Sequence, residues 1–505
     1  MHTPRNRLEE TMPGLQLPTE ERHFFKTVYN DAFANPFSRL RERLDRRIAG
    51  LFPSASRRES KDMCYREVDL RLRTLAKIHK GNIRDYPEED QELLRIVNYF
   101  DIFHKFRDQF DIHIKDQLAA GDTPVKVSFA HDAKQIWTDR GFDAEYFWHY
   151  FALSFQLRRA FYFISNSLVG TSRCMRTLKK HLWYNVFTYN IGLYDRYLWN
   201  RMEDFSTLLL GETGTGKGTS ARAIGQSGFI PFDQKTSCFA QSFTRAFSAI
   251  NLSQYPETLL ESELFGHTKG AFTGAVDNYA GAFDRCSLYG AILLDEIGEV
   301  PNHVQIKLLQ VLQERQFTPV GSHRSSRFNG RVIGATNRPK DDIMSGKVFR
   351  DDFYYRLCSD IIEVPPLRTR IRETPEELHN LLDFTIHRMT GVHNPKLIEK
   401  VKRIIDRNLG KHYQWPGNVR ELEQCVRSVL LRRDYTGQEV LNPELTGLAQ
   451  TLSQGIEEQT IAVPDLVAGY CKLLYDEKGT YEQVARVTGL DRRTVKKHIT
   501  GFKDN

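Results

Sequence analysis

Residues 211–219 have the types and spacing of a phosphate-binding loop between a short apolar run and a helical stretch. The segment consists of Gly211, Glu212, Thr213, Gly214, Thr215, Gly216, Lys217, Gly218 and Thr219. Glycines let backbone N–H groups turn inward around phosphate oxygens, and the N-terminus of the following helix adds a favourable dipole. Lys217 supplies a positive charge for the β- and γ-phosphates. The sequence therefore predicts a nucleotide site, although Gly218 stands where Ser or Thr usually holds Mg²⁺.

A second apolar run, 291–294, ends in the acidic pair Asp295 and Glu296. A carboxylate at the end of a strand can hold Mg²⁺, and an adjacent carboxylate can polarise an attacking water. We assign the first role to Asp295 and the second to Glu296. The alternative is a strand that runs into an acidic surface loop, and the phosphate-binding loop upstream makes this alternative weaker.

The elements that must position these segments are predicted from the alternation of apolar runs and helical stretches. Between about 166 and 365 the runs Ser206–Leu210, Ala291–Asp295 and Arg331–Ala335 have the length and composition of buried strands. Such alternation is typical of an α/β fold with a parallel sheet flanked by helices. Helical periodicity returns over 366–445, which we interpret as a helical lid.

Residues 1–165 are predicted to be mostly helical and carry no pattern of catalytic residues. One helical stripe is predicted from apolar spacing, at Leu93, Val97, Phe100, Phe103, Phe106 and Phe110. Asp143 is expected to cap the helix that follows it. The region does not open with the apolar strand and acidic pair of a phosphoacceptor receiver domain. A small-molecule site, a partner surface and repression of the rest of the chain all stay open for it.

Composition limits the cellular setting. The chain has 505 residues, a net charge of +7 and seven cysteines scattered singly, which favours free thiols in a reducing cytoplasm. No apolar run approaches the roughly 18 residues of a membrane span. The first ten residues lack the apolar stretch of a secretory signal. We therefore expect a cytoplasmic protein without membrane contact. An aromatic series over 183–199 is interpreted as packing between domains.

The last segment, 461–505, follows a polar stretch at 446–460 that we interpret as a linker. Thr480 and Gln483 form a capping-box pattern, and Ala485, Gly489 and Val495 fall at the spacing of a helix-turn-helix. Asp491 is expected to cap the second helix. That helix would present cations and donors to a DNA major groove: Arg492, Arg493, Thr494, Lys496 and Lys497. A small helical oligomerisation module is the alternative.

The hexapeptide 270–275, GAFTGA, is preceded by ESELFGH at 261–267. With these motifs the chain resembles the AAA+ activators of sigma-54 RNA polymerase, the bacterial enhancer-binding proteins. Further motifs follow in the family's order at 334–337, 349–357 and 415–422. The resemblance covers about 168–445, and the C-terminal segment resembles Fis-like DNA-binding domains.

The resemblance implies roles for individual residues. Asn337 would orient the attacking water, Asn251 would restrain Glu296, and Arg420 would report loss of the γ-phosphate to the lid. Arg350 and Arg356 would act as arginine fingers on a neighbouring subunit. An exposed loop would contact sigma-54 through Gly270, Ala271, Phe272, Thr273, Gly274 and Ala275.

Three departures from the family pattern accompany these assignments. Gly218 replaces the usual glutamate after the lysine, and the stretch 232–244 looks like an insertion. Asn251-Leu252 stands in place of the family's Asn-Cys pair.

The function implied by the resemblance is ATP-dependent activation of transcription. The chain would bind double-stranded DNA at upstream, enhancer-like sites, assemble into a ring, expected to be a hexamer, and hydrolyse ATP with Mg²⁺. The GAFTGA loop would then remodel the closed promoter complex of the sigma-54 RNA polymerase holoenzyme. One alternative is a related DNA-binding regulator or repressor without remodelling activity, which the intact GAFTGA disfavours. Another is a helicase or unfoldase, which the C-terminal helix-turn-helix pattern disfavours.

Overall fold

The structure, a computed structural model, describes residues 16–52, 56–78, 83–410, 413–437, 448–457 and 459–501. The described residues fall into two compact units, with the boundary between Tyr435 and Thr436. The interpretation of residues 1–10 as lacking a secretory signal, and the end of the predicted lid at 438–445, lie outside the described residues.

The N-terminal region is helical, as the sequence predicts. Its helices are α1 Thr19–Phe33, α2 Arg39–Ile48, α3 Arg57–Ile78, α4 Glu88–Lys105, α5 Arg107–Ala120, α6 Ala130–Asp139, α7 Ala144–Ser167 and α8 Arg173–Phe187, with a 3₁₀ turn at Ile83–Asp85. Asp143 caps α7, because its side chain accepts a hydrogen bond from the Glu145 backbone N–H at 3.0 Å. The capping prediction is therefore confirmed.

The prediction of one continuous helical stripe from Leu93 to Phe110 is wrong at Phe106. The backbone of Phe106 leaves the helical conformation (φ −99°, ψ 9°), so α4 ends at Lys105 and α5 begins at Arg107. The bend still buries the apolar side chains. The rings of Phe106 and Phe110 lie 5.5 and 5.0 Å from that of Phe129, centroid to centroid. Tertiary packing around Phe129 thus overrides the local periodicity.

The central sheet confirms the predicted α/β fold. The strands are β1 Thr207–Leu210, β2 Phe232–Asp233, β3 Cys238–Phe239, β4 Phe247–Asn251, β5 Ala291–Asp295, β6 Gln316–Phe317, β7 Ser326–Arg327, β8 Arg331–Thr336 and β9 Asp360–Glu363. The main sheet has the order β4-β5-β8-β1-β9, and all its neighbouring strands are parallel. Helices cover both faces, which explains why the strand sequences are continuously apolar.

The α/β region adds helices before and between these strands, and four more helices form the lid. The former are α9 Ile191–Leu193, α10 Lys217–Gly225, α11 Glu257–Phe265, α12 Ala282–Arg285, α13 Asn302–Glu314, α14 Lys340–Met344 and α15 Asp351–Leu357. The lid helices are α16 Leu367–Glu373, α17 Glu376–Thr390, α18 Pro395–Asn408 and α19 Asn418–Arg432. A π-helical turn lies at Tyr194–Leu198 and 3₁₀ turns at Met202–Asp204, Leu252–Gln254 and Ile297–Glu299.

The insertion expected around 232–244 forms an antiparallel hairpin of β2 and β3 that joins the N-terminal helices to the α/β core. Phe239 stacks on Phe155 of α7 with ring centroids 4.0 Å apart, and Phe232 stacks on Trp148 at 4.9 Å. The Val127 backbone N–H also donates to the Ser237 carbonyl oxygen at 2.9 Å. Aromatic packing of this kind makes the N-terminal helices and the α/β region share one hydrophobic core.

The aromatic series over 183–199 packs only in part. Trp183, Phe187 and Tyr194 are buried, whereas Tyr189 and Tyr197 are exposed. Its buried members belong to the core that joins the N-terminal helices to the α/β region.

The second unit contains α20 Leu448–Glu457, α21 Val463–Lys478, α22 Tyr481–Thr488 and α23 Arg492–Gly501. Helix α20 occupies most of the stretch 446–460 that the sequence predicted as a linker, of which 446, 447 and 458 lie outside the described residues. Leu452 is buried and lies against Gly469 of α21, so one apolar contact orders a segment that is otherwise polar.

The cysteine prediction is confirmed, since all seven cysteines are free thiols. Among the described residues, no helix combines the length and the apolar character that a membrane span requires.

Candidate functional site

The phosphate-binding loop lies between the end of β1 and the start of α10. Gly214 (φ 79°) and Gly216 (φ 106°) adopt left-handed backbone conformations that favour glycine. Gly216 directly precedes α10, which begins at Lys217. The loop therefore presents its backbone at a helix N-terminus, the arrangement that binds anions.

The side chain of Lys217 folds back onto the backbone of the phosphate-binding loop. Its side chain is 7% exposed, and Nζ donates to the carbonyl oxygens of Gly211 at 2.8 Å and Glu212 at 3.3 Å. Burial lowers the pKa of Lys217, and the carboxylates of Glu296 and Asp295 partly oppose that shift. The ammonium group thus faces a cavity of about 370 Å³ in which a phosphate would be a stronger acceptor than the carbonyls.

The acidic pair lines the same cavity. Asp295 ends β5, and Glu296 has a left-handed backbone (φ 56°) that costs roughly 1–2 kcal/mol in a residue other than glycine. The Glu296 N–H donates to Asp295 Oδ1 at 3.1 Å. Glu296 Oε2 is buried without a hydrogen-bond partner among the described residues. An unpaired carboxylate oxygen at this place suits a group that receives a hydrogen bond from water.

Asn251 lines the cavity, but it does not restrain Glu296 in this structure. It ends β4 beside Asp295, and its Oδ1 accepts from the backbone N–H and the hydroxyl of Ser253 at 3.0 and 2.8 Å. Its side chain therefore caps the 3₁₀ turn Leu252–Gln254.

Asn337 follows β8, and its Nδ2 donates to Thr213 Oγ1 at 3.3 Å, which places it against the phosphate-binding loop. Gly218 and Thr219 line the cavity at the start of α10. A Cβ at Gly218 would meet no atom within 4 Å, so the departure from Ser or Thr leaves open space.

The lid touches the loop through the N-terminus of α19. The Val419 N–H donates to the Gly214 carbonyl oxygen at 3.1 Å, and Arg420 lines the cavity. Asn418 is fully buried, and its Nδ2 donates to Glu212 Oε2 at 3.1 Å and to the Thr213 carbonyl oxygen at 3.0 Å. Asn418 lies in the motif 415–422, but its residue type and spacing alone did not predict these contacts.

A second lid contact was also missed. The guanidinium of Arg368 at the start of α16 pairs with both carboxylate oxygens of Glu212, one of them at 2.7 Å. These hydrogen bonds lower the pKa of Glu212. Motif spacing gives no signal for the pair, because 156 residues separate its members.

One side of the cavity is apolar and lies where the linker before α8 meets the lid. It is lined by Leu168, Val169, Leu381 and Phe384. A cavity with phosphate-binding groups at one end and an apolar wall at the other can hold a nucleotide with its base on that wall.

Arg350 and Arg356 do not reach this cavity within one chain. Arg350 is exposed and pairs with Asp352 at 2.9 Å. The backbone carbonyl of Arg356 accepts a hydrogen bond from the Ser206 hydroxyl, and its side chain is exposed. The structure therefore separates both arginines from the phosphate-binding loop of their own chain.

The GAFTGA segment forms a surface loop between His267 and Tyr279. The Gly270 N–H donates to the Ala275 carbonyl oxygen at 2.8 Å, which closes the loop. Phe272 is 39% exposed, with its ring edge-on to that of His267 at 4.9 Å. Thr273 and Gly274 are exposed. Ala275 is buried, so its side chain lies beneath the tip rather than at it.

In the C-terminal unit, three helices pack around Cys471, Val484 and Val495. Thr480 Oγ1 accepts from the Gln483 N–H at 3.4 Å, so the predicted cap is present. Asp491 caps α23, because Oδ1 accepts from the N–H groups of Arg493 and Thr494 at 3.0 and 3.1 Å.

The residues predicted for DNA contact lie on α23. Arg493, Lys496 and Lys497 are exposed. Arg492 pairs with Glu482 at 2.9 Å, and the Thr494 hydroxyl donates to Asp491. Arg492 is exposed as well, so four of the five predicted groups are exposed and Thr494 is partly buried.

The region around the cavity is similar to known proteins. A family described as the sigma-54 interaction domain matches residues 197–363. The transcriptional regulatory protein GlrR of Escherichia coli K12 is 36% identical over 301 residues, which cover 57% of this chain and 61% of GlrR. The Nif-specific regulatory protein of Azotobacter vinelandii is 41% identical over 232 residues, 46% of this chain and 41% of that protein.

The crystal structure of NtrX from Brucella abortus in complex with ATP is 20% identical, with a TM-score of 0.38 over 74% of this chain and 81% of NtrX. The chain matches less than two thirds of the length of the curated relatives named above. Residues 197–363, which hold the cavity's phosphate-binding loop, its acidic pair and the GAFTGA loop, therefore match the sigma-54 interaction domain.

Proposed function

We propose that this protein is a cytoplasmic, ATP-dependent activator of transcription by sigma-54 RNA polymerase. The observation that carries the proposal is the presence of two features on one compact unit. One is a cavity with a phosphate-binding loop and an acidic pair, and the other is an exposed GAFTGA loop within a matched sigma-54 interaction domain. ATP hydrolysis at the first would change how the second contacts the polymerase.

ATP would bind with its phosphates on the backbone of the 211–219 loop and its base on the apolar wall. Lys217 would exchange its carbonyl acceptors for phosphate oxygens. Glu296, whose Oε2 has no partner among the described residues, would accept a hydrogen bond from the attacking water. Asn337, which already lies against Thr213, would orient that water.

The donor set also fits Mg²⁺. Asp295 offers a carboxylate at the end of β5, inside the cavity, and carboxylate oxygens are ligands that Mg²⁺ prefers. We assign the metal contact to Asp295. The ion would neutralise charge on the phosphates when it is bound.

A ring of subunits would complete the site. Arg350 and Arg356 lie outside the cavity of their own chain, and Arg350 is exposed beside Asp352. In a homo-oligomeric ring, expected to be a hexamer, they would contact the γ-phosphate held by a neighbouring subunit and stabilise the charge that develops there.

The GAFTGA loop is the proposed contact with sigma-54. Phe272 offers a half-exposed aromatic ring, and exposed aromatic side chains are favoured in protein interfaces. The glycines on either side of the tip, Gly270 and Gly274, have room for movement, since a Cβ at either would meet no atom within 4 Å.

The C-terminal unit is the proposed DNA-binding module. Arg493, Lys496 and Lys497 are exposed on α23, the second helix of a capped helix-turn-helix pair. We expect this helix to enter the major groove of upstream DNA. Replacement of these three residues by alanine should weaken DNA binding at low salt far more than at high salt.

The experiment that tests the enzyme assignment separates binding from hydrolysis. Lys217→Ala should abolish ATP binding, because the positive charge that contacts the phosphates is lost. Glu296→Gln should bind ATP and lose turnover, because the amide cannot act as the base. Lys235→Ala, at an exposed position of the β2–β3 hairpin, is the control. Equal loss of binding in both variants would contradict the assignment.

Transcription in vitro with sigma-54 polymerase distinguishes the proposed function from two alternatives, a repressor and a helicase or unfoldase. A repressor without remodelling activity would bind DNA and leave closed promoter complexes closed. A helicase or unfoldase would turn over ATP faster with free DNA or protein substrates and would show no dependence on sigma-54.

A further inference from the structure

The N-terminal helices enclose a second cavity, separate from the nucleotide cavity. Its volume is about 370 Å³, within the range of cavities that bind small molecules. The walls come from α1–α5, from α7–α9 and from the segment between α1 and α2. The assignments made above give this cavity no role.

Aromatic rings form much of its wall, and they are Tyr65, Tyr99, Phe100, Phe103, Phe161 and Trp183. His104 stacks on Tyr65 with ring centroids 3.7 Å apart and lies edge-on to Phe100 at 4.4 Å. Such a wall provides flat apolar surface for a planar or aliphatic group.

Four cations line the same space. Arg41, Lys61, Arg107 and Arg158 each lie between 5.1 and 5.8 Å from the centroid of a ring of the wall. The lining also holds two carboxylates, Asp108 and Asp111, which pair with Arg107 at 2.9 Å and with Arg158 at 2.5 Å. The lining therefore holds four positive side chains and two negative ones.

Two further carboxylates lie behind the wall, next to Arg41. Asp31 and Asp45 lie 2.9 and 3.2 Å from Arg41 Nε and are not part of the lining. Burial raises the pKa of Asp31 to about 7, so near neutral pH it carries only part of a negative charge.

The pKa of His104 responds to the positive side chains that surround the cavity. Burial lowers its pKa well below the usual value, and Arg41, Arg107, Lys61 and Arg158 lower it further. Its Nδ1 is buried and has no hydrogen-bond partner among the described residues. The imidazole is therefore neutral at physiological pH.

We propose that this cavity is an effector site for a small organic anion with an apolar or aromatic body, such as an aryl-substituted carboxylate. The carboxylate would contact Lys61 and Arg107, and the body would pack on Phe103 and Trp183. A cation of the same shape would be excluded by the four positive side chains.

Helix α7 connects this site to the phosphate-binding loop. One face of α7 lines the cavity with Leu157, Arg158 and Phe161. On the other side, Gln156 Nε2 donates to the Ser227 carbonyl oxygen at 2.9 Å, and the guanidinium of Arg159 donates to that of Gly228. Both carbonyls directly follow α10, the helix that begins at Lys217. An anion that shifts α7 would shift α10 as well, and this coupling rests on the proposed ATPase activity.

Calorimetry on the full chain tests the site without reference to ATP. The probes are benzoate, phenylacetate and 3-phenylpropionate, with the matched amides and amines. We expect saturable binding of at least one carboxylate at one per chain, and no binding of its amine. Lys61→Met and Arg107→Gln should each weaken that binding at least tenfold. Lys77→Met and Arg73→Gln, on α3 outside the lining, should leave it unchanged.

The site is overturned if no carboxylate binds, if amide and amine bind as well as the carboxylate, or if Lys61→Met behaves like Lys77→Met. The coupling is tested by ATP turnover with and without the bound carboxylate. We expect a change of at least threefold in the wild type and none in Lys61→Met. Unchanged turnover with saturated calorimetry overturns the coupling alone. Absent basal turnover with intact calorimetry overturns the proposed ATPase and leaves the site in place.

Discussion

Gly214 lies so close to the lid that an added methyl group would push the phosphate-binding loop and the lid apart. A Cβ there would lie 2.2 Å from the carbonyl oxygen of Gly417 and 3.0 Å from Cβ of Arg420, and φ is 79°. Two neighbours provide matched controls. Gly216 has a φ of 106° with no atom within 4 Å of an added Cβ, and Gly218 has neither the unusual backbone nor a close neighbour.

The expected sizes follow from these differences. A left-handed backbone costs a residue other than glycine roughly 1–2 kcal/mol, which is the whole effect expected for Gly216→Ala. Gly214→Ala should also lose the hydrogen bonds from Val419 N–H to Gly214 and from Asn418 Nδ2 to Thr213, at roughly 1 kcal/mol each. Its free energy of unfolding should fall by about 3–4 kcal/mol. Gly218→Ala should be stabilised by about 0.4–1 kcal/mol.

Urea unfolding of the nucleotide-free protein measures all three variants, and ATP affinity provides a second readout. Gly214→Ala should bind ATP much more weakly than Gly218→Ala, because Arg420 and the lid no longer close on the loop. If the free energy of unfolding falls by the same amount in Gly214→Ala and Gly216→Ala, the contact between Gly214 and the lid does not contribute to stability. The prediction would then be wrong.

Two further predictions concern pH and the ring. Burial lowers the pKa of His113 to about 4, so below pH 6.5 only the unfolded chain takes up this proton and stability falls as pH falls. Between pH 7.5 and 5.5 His113 should contribute about 1.3 kcal/mol to the loss in urea melts, so the loss should be smaller by that amount in His113→Leu and unchanged in the exposed control His181→Leu. Arg350→Ala should lack turnover alone and regain part of it when mixed with Lys217→Ala subunits, because one intact interface can form. Mixed rings that assemble and stay inactive would show that Arg350 does not act between subunits.

The parts of the fold that the sequence predicted well are those with a local signal. The phosphate-binding loop, the strand that ends in Asp295 and the caps at Asp143 and Asp491 each depend on residues a few positions apart. A cap needs one side chain and one turn of helix, and a buried strand needs only its own apolar run. Local rules therefore suffice for them.

The features of the fold and site that the sequence did not predict depend on contacts between distant segments. Glu212 pairs with Arg368 and Asn418 across more than 150 residues, and no spacing rule connects them. The β2–β3 hairpin was visible only as extra length, whereas its function is to stack Phe239 on Phe155. The break at Phe106 likewise accompanies packing on Phe129, which lies just before α6 and which local periodicity cannot report.

The central claim is that ATP hydrolysis at one site drives work at the GAFTGA loop, and one measurement on a single preparation tests it most directly. ATP turnover and formation of open promoter complexes by sigma-54 polymerase are recorded together for the wild type, Phe272→Ala and Leu288→Ala. Leu288 is an exposed apolar residue outside the loop and serves as the control. We predict that Phe272→Ala keeps ATP turnover and loses promoter opening, while Leu288→Ala keeps both. Promoter opening by Phe272→Ala at the wild-type rate would contradict the account.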